Sequence, residues 1–167
     1  MKGAPETRTV LLVDDDPDSR VIYTTMLQLI GVRVVEATDG QGALQAACAH
    51  DPDLIVLDLV MPGMDGWTAL EHLRSDPDLC HIPVVALTVI GPGEDRRDPL
   101  RRGFDAHWVK PLPPPAMAAR VNSLLAGALA ARRRPPEARG VAAWPPEPAG
   151  RRRLKVPQLP AGCDGSS

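Results

Sequence analysis

Five short apolar runs in this 167-residue chain each end in a polar or charged residue, and this recurrence constrains the fold more than any other feature. Three runs end in acid and two end in a single other polar residue. The runs and their ends are Val10–Val13 before Asp14, Asp15 and Asp16; Val32–Glu36; Leu54–Leu57 before Asp58; Val84–Leu87 before Thr88; and Ala106–Val109 before Lys110. The carboxyl ends of parallel strands share one edge of a sheet, where α/β folds bind their ligands. We therefore expect carboxylates, one hydroxyl and one ammonium group to meet at such an edge.

Segments with helical spacing separate these runs. Asp16-Pro17 is a favourable helix start, because Asp caps the free N–H groups and Pro suits the first turn. Apolar residues at helical spacing then continue as far as Gly31. Four more helices are predicted around 43–48, 67–73, 94–102 and 117–128. Strands that alternate with helices predict an α/β fold, a doubly wound five-stranded parallel sheet covered on both faces.

The charge is unevenly distributed and indicates a change of character near residue 130. Residues 1–126 carry 11 basic and 18 acidic residues, whereas residues 127–167 carry 8 basic and 3 acidic ones. The second part is rich in Pro, Arg, Ala and Gly and has no periodicity, so it lacks the apolar surface that offsets ordering entropy. We predict an N-terminal extension at 1–7, a folded domain at 8–130 and a disordered tail at 131–167. A solvated tail without a role is favoured over one that binds nucleic acid or anionic lipid.

No segment resembles a signal peptide, and no apolar run approaches the roughly 20 residues that cross a bilayer. Cys48, Cys80 and Cys163 are odd in number and form no close pair, so the sequence indicates neither a disulfide framework nor a zinc site. A cytoplasmic, reduced protein with no membrane partner is the expectation.

The acids at the strand ends predict metal and phosphoryl chemistry. Asp14, Asp15 and Asp58 are expected to converge, and like charges that are packed together need a cation. Carboxylates, waters and a phosphate are typical ligands of Mg²⁺. Asp58 is then the candidate nucleophile, because carboxylates form acyl phosphates. Thr88 is placed to donate a hydrogen bond to a phosphoryl oxygen, and Lys110 to pair with the carboxylate and later with the phosphoryl group.

Four segments in order resemble the response-regulator receiver domain of two-component signalling. They are Val-Asp-Asp-Asp-Pro at 13–17, Asp-Leu-Ile-Val-Leu-Asp-Leu-Val-Met-Pro-Gly-Met-Asp-Gly at 53–66, Pro-Val-Val-Ala-Leu-Thr at 83–88 and Val-Lys-Pro at 109–111. The resemblance implies the flavodoxin-like receiver fold and a phosphoryl group on Asp58, taken from a sensor histidine kinase or a small phosphodonor. It also implies that Asp14, Asp15, Asp58 and the backbone carbonyl of Val60 hold Mg²⁺.

The same resemblance implies a switch, and the chain departs from the family pattern around it. Thr88 takes the position of the switch hydroxyl and Lys110 that of the family's lysine. His107 takes the place of an aromatic residue that acts as a rotameric switch. Val89 is bulkier than the small residue usual after the switch hydroxyl, and Pro99 falls inside the expected fourth helix, where proline removes a hydrogen bond.

The functional expectation is a stand-alone receiver, not an enzyme, that signals by protein–protein contact. Its expected partners are a sensor histidine kinase or phosphotransfer protein and a downstream protein target. No DNA-binding domain is expected, and a homodimer through the fourth helix–fifth strand–fifth helix face is allowed. The alternative is a phosphorylation-independent adaptor with a degenerate switch. A third hypothesis, an aspartyl-phosphate phosphatase of another α/β family, needs a second Asp where this chain has Val60.

Overall fold

The predicted strands form one parallel sheet in the structure, a computed structural model that describes residues 7–89 and 99–132. The strands lie in the order β2-β1-β3-β4-β5, and every pair of neighbours is parallel. The elements in chain order are β1 (Thr9–Val13), α1 (Pro17–Leu29), β2 (Arg33–Ala37), α2 (Gly40–His50), β3 (Leu54–Asp58), α3 (Gly66–Ser75), β4 (Val84–Thr88), a 3₁₀ turn (Leu100–Arg102), β5 (Ala106–Val109) and α4 (Pro114–Arg132). The predicted fold class is confirmed.

The core has two layers, one on each face of the sheet. Alternation along a strand sends neighbouring side chains to opposite faces. Leu12 of β1 packs in a cluster with Leu27 of α1 and Val121 of α4, so these two helices cover one face. Leu11, the preceding residue, packs on the other face in a cluster with side chains from α2 and α3. Burial on both faces accounts for the continuous apolar runs of β1, β3 and β4.

Three helices begin with an aspartate whose side chain accepts a hydrogen bond from a free backbone N–H group. Asp16 accepts from Ser19 N at 2.9 Å, Asp39 from Gly42 N at 2.7 Å, and Asp65 from Thr68 N at 2.8 Å. Such caps satisfy N–H groups that the first helical turn leaves without partners. Because these helices start at the carboxyl edge of the sheet, the caps fix the loops that surround that edge.

The helix predicted near 94–102 lies mostly outside the described residues. In the described part, residues 100–102 form a 3₁₀ turn, and Pro99 immediately precedes it. The Pro99 carbonyl accepts hydrogen bonds from Arg102 N at 3.1 Å and Phe104 N at 3.2 Å. Pro99 therefore starts a turn, where a missing N–H group costs little, and does not interrupt a helix among the residues that the structure describes.

The predicted domain bounds stay predictions. Residues 1–6 and 133–167, which include almost all of the predicted tail, lie outside the described residues. The last helix continues to Arg132, two residues beyond the predicted end of the folded domain. Within the described ranges, no helix has the length and apolar character needed to cross a membrane. The cytoplasmic location also stays a prediction.

Candidate functional site

Asp14, Asp15, Asp58 and Lys110 meet at the carboxyl edge of the sheet, and we call this group the acid cluster. Val13 lies opposite Leu57, so Asp14 and Asp58 follow on adjacent strands. Lys110 Nζ lies 2.8 Å from Asp14 Oδ2 and 2.7 Å from Asp58 Oδ2, and it joins two buried carboxylates. The position between β1 and β3 is the point where the strand order reverses, which is where open α/β sheets bind ligands.

Backbone N–H groups hold the second oxygen of each buried carboxylate. Asp14 Oδ1 accepts a hydrogen bond from Asp16 N at 3.0 Å, and Asp58 Oδ1 accepts one from Val60 N at 3.0 Å. Both contacts close a turn two residues long, and both turns come directly after a strand. The carboxylates are therefore fixed in orientation by the chain that follows them as well as by Lys110.

Gly66 lets the loop after Asp58 return close to the strand end. A side-chain carbon on Gly66 would collide with the Asp58 carbonyl oxygen and would lie 2.9 Å from Leu59 Cα. Gly66 N also donates to the Leu59 carbonyl, with the two atoms 3.2 Å apart. Only a residue without a side chain fits this approach, so the glycine sets the path of the loop that leads from Asp58 into α3.

Contacts on both sides of Lys110 fix its position. Its backbone N donates to the Thr88 carbonyl at 2.7 Å, and the Lys110–Pro111 peptide bond is cis. Two residues further on, the Leu112 carbonyl accepts a hydrogen bond from the Tyr23 hydroxyl at 2.9 Å. Burial raises the pKa of Tyr23, so the phenol stays protonated and able to donate. The sheet and α1 together hold the segment that carries the lysine.

Burial shifts the pKa of Asp58 upward. Desolvation is the largest cause, and it outweighs the hydrogen bonds from Lys110 and Val60 N, which favour the charged form. For Lys110 the balance is different. Desolvation alone would lower its pKa, but hydrogen bonds to Asp14 and Asp58 and their negative charges raise it. Lys110 is thus held in its charged form by the carboxylates beside it.

The donor set fits a hard divalent cation. Carboxylate oxygens of Asp14, Asp15 and Asp58 lie within 4.8 Å of one another. Asp15 is exposed, and within residues 7–89 and 99–132 its carboxylate accepts no hydrogen bond. Three carboxylates against one bonded ammonium leave negative charge at this edge, and oxygen ligands of this kind suit Mg²⁺. The predicted fourth ligand, the carbonyl of Val60, follows Asp58 in the adjoining loop, and its role stays a prediction.

The predicted switch residues, Thr88 and His107, lie on β4 and β5 and do not belong to the acid cluster. Thr88 is buried at the end of β4, next to the strand that carries Asp58, whereas Val89 is 67% exposed directly after it. His107 lies in β5 opposite Ala86, and it is half buried. Its Nε2 atom is buried and has no hydrogen-bond partner among the described residues. The functional roles of these residues stay predictions.

Sequence reasoning missed two residues that hold the site. The Tyr23 hydroxyl bonds the Leu112 carbonyl in the segment after Lys110. The two residues are 89 positions apart, so no local sequence pattern predicts the contact. Arg20 donates to the backbone carbonyls of Asp14 and Asp15. These contacts span only six and five positions, but the spacing rules for helical side chains do not predict a bond to main-chain carbonyls that precede the helix.

The comparisons with known proteins agree with this geometry. Residues 10–122 match the family described as "Response regulator receiver domain". The chain belongs to the response-regulator receiver family. The receiver is 41% identical over 118 residues to "Probable transcriptional regulator ycf27" of Cyanophora paradoxa, with 71% of this chain and 48% of that protein covered. It is 37% identical over 116 residues to "DNA-binding dual master transcriptional regulator RpaA" of Synechocystis, with 70% and 48% covered.

A solved receiver has the same fold. The receiver domain of sensor histidine kinase PA1611 from Pseudomonas aeruginosa, solved with a magnesium ion coordinated in the active-site cleft, superposes with a TM-score of 0.65 at 27% identity. The match covers 74% of this chain and 98% of that one. Receiver domains are signalling modules of two-component systems, and aspartate phosphorylation and Mg²⁺ binding at an acidic pocket are general features of the family. The predicted family membership is confirmed.

The prediction of a stand-alone receiver with no DNA-binding domain is wrong. The expectation of a stand-alone receiver with no DNA-binding domain rests on the 37 residues that follow residue 130. The chain spans about half the length of the curated relatives it matches, and one of these is named as DNA-binding. The number of residues after the receiver in this sequence therefore does not decide whether a DNA-binding domain belongs to the same protein. The possible homodimer stays a prediction, and the fourth helix of its predicted face falls largely on residues outside the described ones.

Proposed function

We propose that this receiver accepts a phosphoryl group on Asp58 in a Mg²⁺-dependent reaction, with a phosphohistidine of a sensor kinase as the donor. One observation carries the proposal: Lys110 bridges Asp14 and Asp58 in a cluster of three carboxylates within 4.8 Å. The names of the relatives support a further proposal, that the receiver regulates transcription as part of a longer protein. The role is that of a switch rather than of an enzyme with a turned-over substrate.

In the proposed reaction, an oxygen of the ionised Asp58 carboxylate attacks phosphorus. The new O–P bond forms as the N–P bond of the phosphohistidine breaks, and the electron pair of that bond leaves with the imidazole. Asp14, Asp15 and Asp58 are the side chains that would hold Mg²⁺, which would offset the negative charge of the phosphoryl oxygens. The raised pKa of Asp58 means that burial works against the reactive charged form, while Lys110 and Val60 N favour it.

Lys110 is proposed to change partners during the transfer. Before the reaction its ammonium bonds one oxygen of Asp58 at 2.7 Å. Once that carboxylate becomes an acyl phosphate, the negative charge moves outward to the phosphoryl oxygens, and a charge-assisted bond to them is the stronger one. The Thr88 hydroxyl, from the neighbouring strand, is proposed to donate a hydrogen bond to the same group. Added negative charge at this edge then biases the loop that follows β4.

The proposal is tested by the mass of the intact protein after incubation with acetyl phosphate and Mg²⁺. We expect the mass to increase by one phosphoryl group in the wild type, and Asp58→Asn to stay unmodified. Removal of Mg²⁺ with a chelator should prevent the reaction. Asp78→Asn is the matched control, because Asp78 is an exposed acid in the loop after α3.

Two results decide against the proposal. One is the absence of modification in the wild type, with acetyl phosphate and with purified sensor kinases. That outcome favours the phosphorylation-independent adaptor. The other is equal modification of the wild type and Asp58→Asn, which places the acceptor elsewhere. Modification that Asp78→Asn retains and Asp58→Asn loses supports the assignment.

A further inference from the structure

Arg20 of α1 reaches back to the loop that carries the two acids of β1. Its Nη1 atom lies 2.8 Å from the Asp14 carbonyl oxygen and 3.2 Å from the Asp15 carbonyl oxygen. One guanidinium nitrogen thus donates to two consecutive peptide groups. Because each carbonyl is coplanar with its peptide bond, these contacts fix the two planes that flank the Cα of Asp15.

The contacts of Arg20 differ in kind from those of Lys110. Lys110 bonds carboxylate oxygens of Asp14 and Asp58 directly, and both residues are predicted metal ligands. Arg20 bonds main-chain carbonyls of the loop, and within the described residues it makes no hydrogen bond to the carboxylates of Asp14 and Asp15. Its charge offsets the negative potential of the loop without occupying an oxygen that a cation needs.

A second layer of contacts holds Arg20. Its Nε atom lies 3.5 Å from Glu36 Oε2, and Glu36 Oε1 accepts a hydrogen bond from the Thr24 hydroxyl at 2.8 Å. Glu36 belongs to β2 and Thr24 to α1, so strand and helix together fix the guanidinium. The Arg20 side chain is 16% exposed and the Glu36 side chain is 41% exposed, so the arginine is the less exposed member of the pair.

We propose that Arg20 is a positioning residue for the metal site: it orients the loop of Asp14 and Asp15 through their carbonyls, so that the two carboxylates are preorganised for Mg²⁺. This inference rests on the proposed function, because it assigns Arg20 to the metal site described there. Outer-layer residues of this kind commonly change metal affinity about 10–100-fold when they are replaced. No reacting atom contacts Arg20 in this assignment.

The test is calorimetric titration of metal-free protein with Mg²⁺ for the wild type, Arg20→Gln and Arg20→Lys. Loss of preorganisation should weaken Mg²⁺ binding about tenfold in Arg20→Gln. Arg20→Lys keeps the charge and loses the planar fork, so its affinity should fall between the two. Arg33→Gln is the charge-matched control, because Arg33 is exposed at the other end of β2. Amide chemical shifts of Asp14 and Asp15 should move in metal-free Arg20→Gln and stay in place in Arg33→Gln.

Stronger rather than weaker Mg²⁺ binding in Arg20→Gln overturns the inference. If Arg20 acts only as a nearby positive charge, its removal strengthens Mg²⁺ binding, and Arg20→Lys binds as the wild type does. Unchanged affinity in both variants overturns it as well. These results leave the proposed function standing, provided that the wild type binds Mg²⁺ and is modified on Asp58. A wild type that neither binds Mg²⁺ nor is modified overturns both proposals.

Discussion

Lys110 and Arg74 each bond oxygen atoms from separate segments of the chain. The oxygens around Lys110 belong to carboxylates, whereas most of those around Arg74 belong to main-chain carbonyls. Lys110 bonds two carboxylates in a cluster of three. Arg74 of α3 instead donates to three main-chain carbonyls and to one carboxylate. Its partners are Cys80 O at 3.1 Å, Ile82 O at 2.8 Å, Gly103 O at 3.0–3.1 Å and Asp105 Oδ2 at 2.8 Å. We call this group the Arg74 clamp.

The two groups differ in charge balance, and this distinguishes a reactive site from a purely structural contact. In the Arg74 clamp one positive charge meets one negative charge, and the remaining donors are used by neutral carbonyls. The Asp105 carboxylate is also held by Val84 N at 2.7 Å. In the acid cluster, negative charge exceeds positive charge, and the side chain of Asp15 is exposed. The balanced charges of the Arg74 clamp stabilise the packing of its segments, whereas the excess negative charge of the acid cluster attracts a cation.

The largest expected effect on stability comes from the clamp. Arg74→Met leaves three carbonyls from two segments without their donor, and unsatisfied polar groups and charged hydrogen bonds each contribute of the order of 1–3 kcal/mol. We expect the free energy of unfolding to fall by about 2–4 kcal/mol, measured by urea denaturation. The initial rate of Asp58 phosphorylation should stay near that of the wild type. Arg33→Met, at an exposed arginine, is the control, and a lost phosphorylation rate in a stable Arg74→Met would show that the two regions are coupled.

Replacing Asp58 in the acid cluster should raise the free energy of unfolding, whereas replacing Arg74 lowers it. Because burial raises the pKa of Asp58, the folded protein binds this proton more tightly than the unfolded chain does. The contribution of Asp58 to stability is therefore most favourable at low pH and declines as pH rises from the ordinary value of 3.8 through the raised pKa. Asp58→Asn, which resembles the protonated acid, removes this decline.

We expect Asp58→Asn to match the wild type in stability at low pH and to exceed it at neutral pH, in metal-free buffer. Each pKa unit of displacement corresponds to about 1.4 kcal/mol. Denaturation curves over that pH range measure the difference, and Asp78→Asn should show no such trend. A variant that loses stability at neutral pH would mean that the charge pair with Lys110 outweighs the cost of burying Asp58.

The smallest expected effect concerns His107. Its buried Nε2 atom has no hydrogen-bond partner among the described residues, and a buried polar atom of this kind is unfavourable. His107→Phe should raise the free energy of unfolding by about 1 kcal/mol or less. His50→Phe, at an exposed histidine, should change stability by no more than about 0.5 kcal/mol. A destabilised His107→Phe would show that the imidazole makes a favourable contact that an aromatic hydrocarbon cannot replace.

Local patterns were sufficient to predict the elements of the sheet. The apolar runs predict all five strands. In β1, β3 and β4 the runs are continuous because strands covered on both faces need apolar residues at successive positions, whereas the edge strands β2 and β5 are only partly buried. Asp16-Pro17 predicts the start of α1, since capping depends on atoms only a few residues apart. The prediction for 94–102 was weaker because glycines and prolines interrupt the pattern there. In the described part, only a 3₁₀ turn forms.

The sequence by itself determined which residues stand at the strand ends: Asp14, Asp15, Asp58, Thr88 and Lys110. The tertiary structure decided how they meet. The bond from Lys110 to Asp14 spans 96 positions and the bond to Asp58 spans 52, and both depend on a strand order in which β1 lies beside β3. The raised pKa of Asp58 likewise depends on the atoms that cover it. Burial and pairing are properties of the packed chain, because residues far apart in sequence create them.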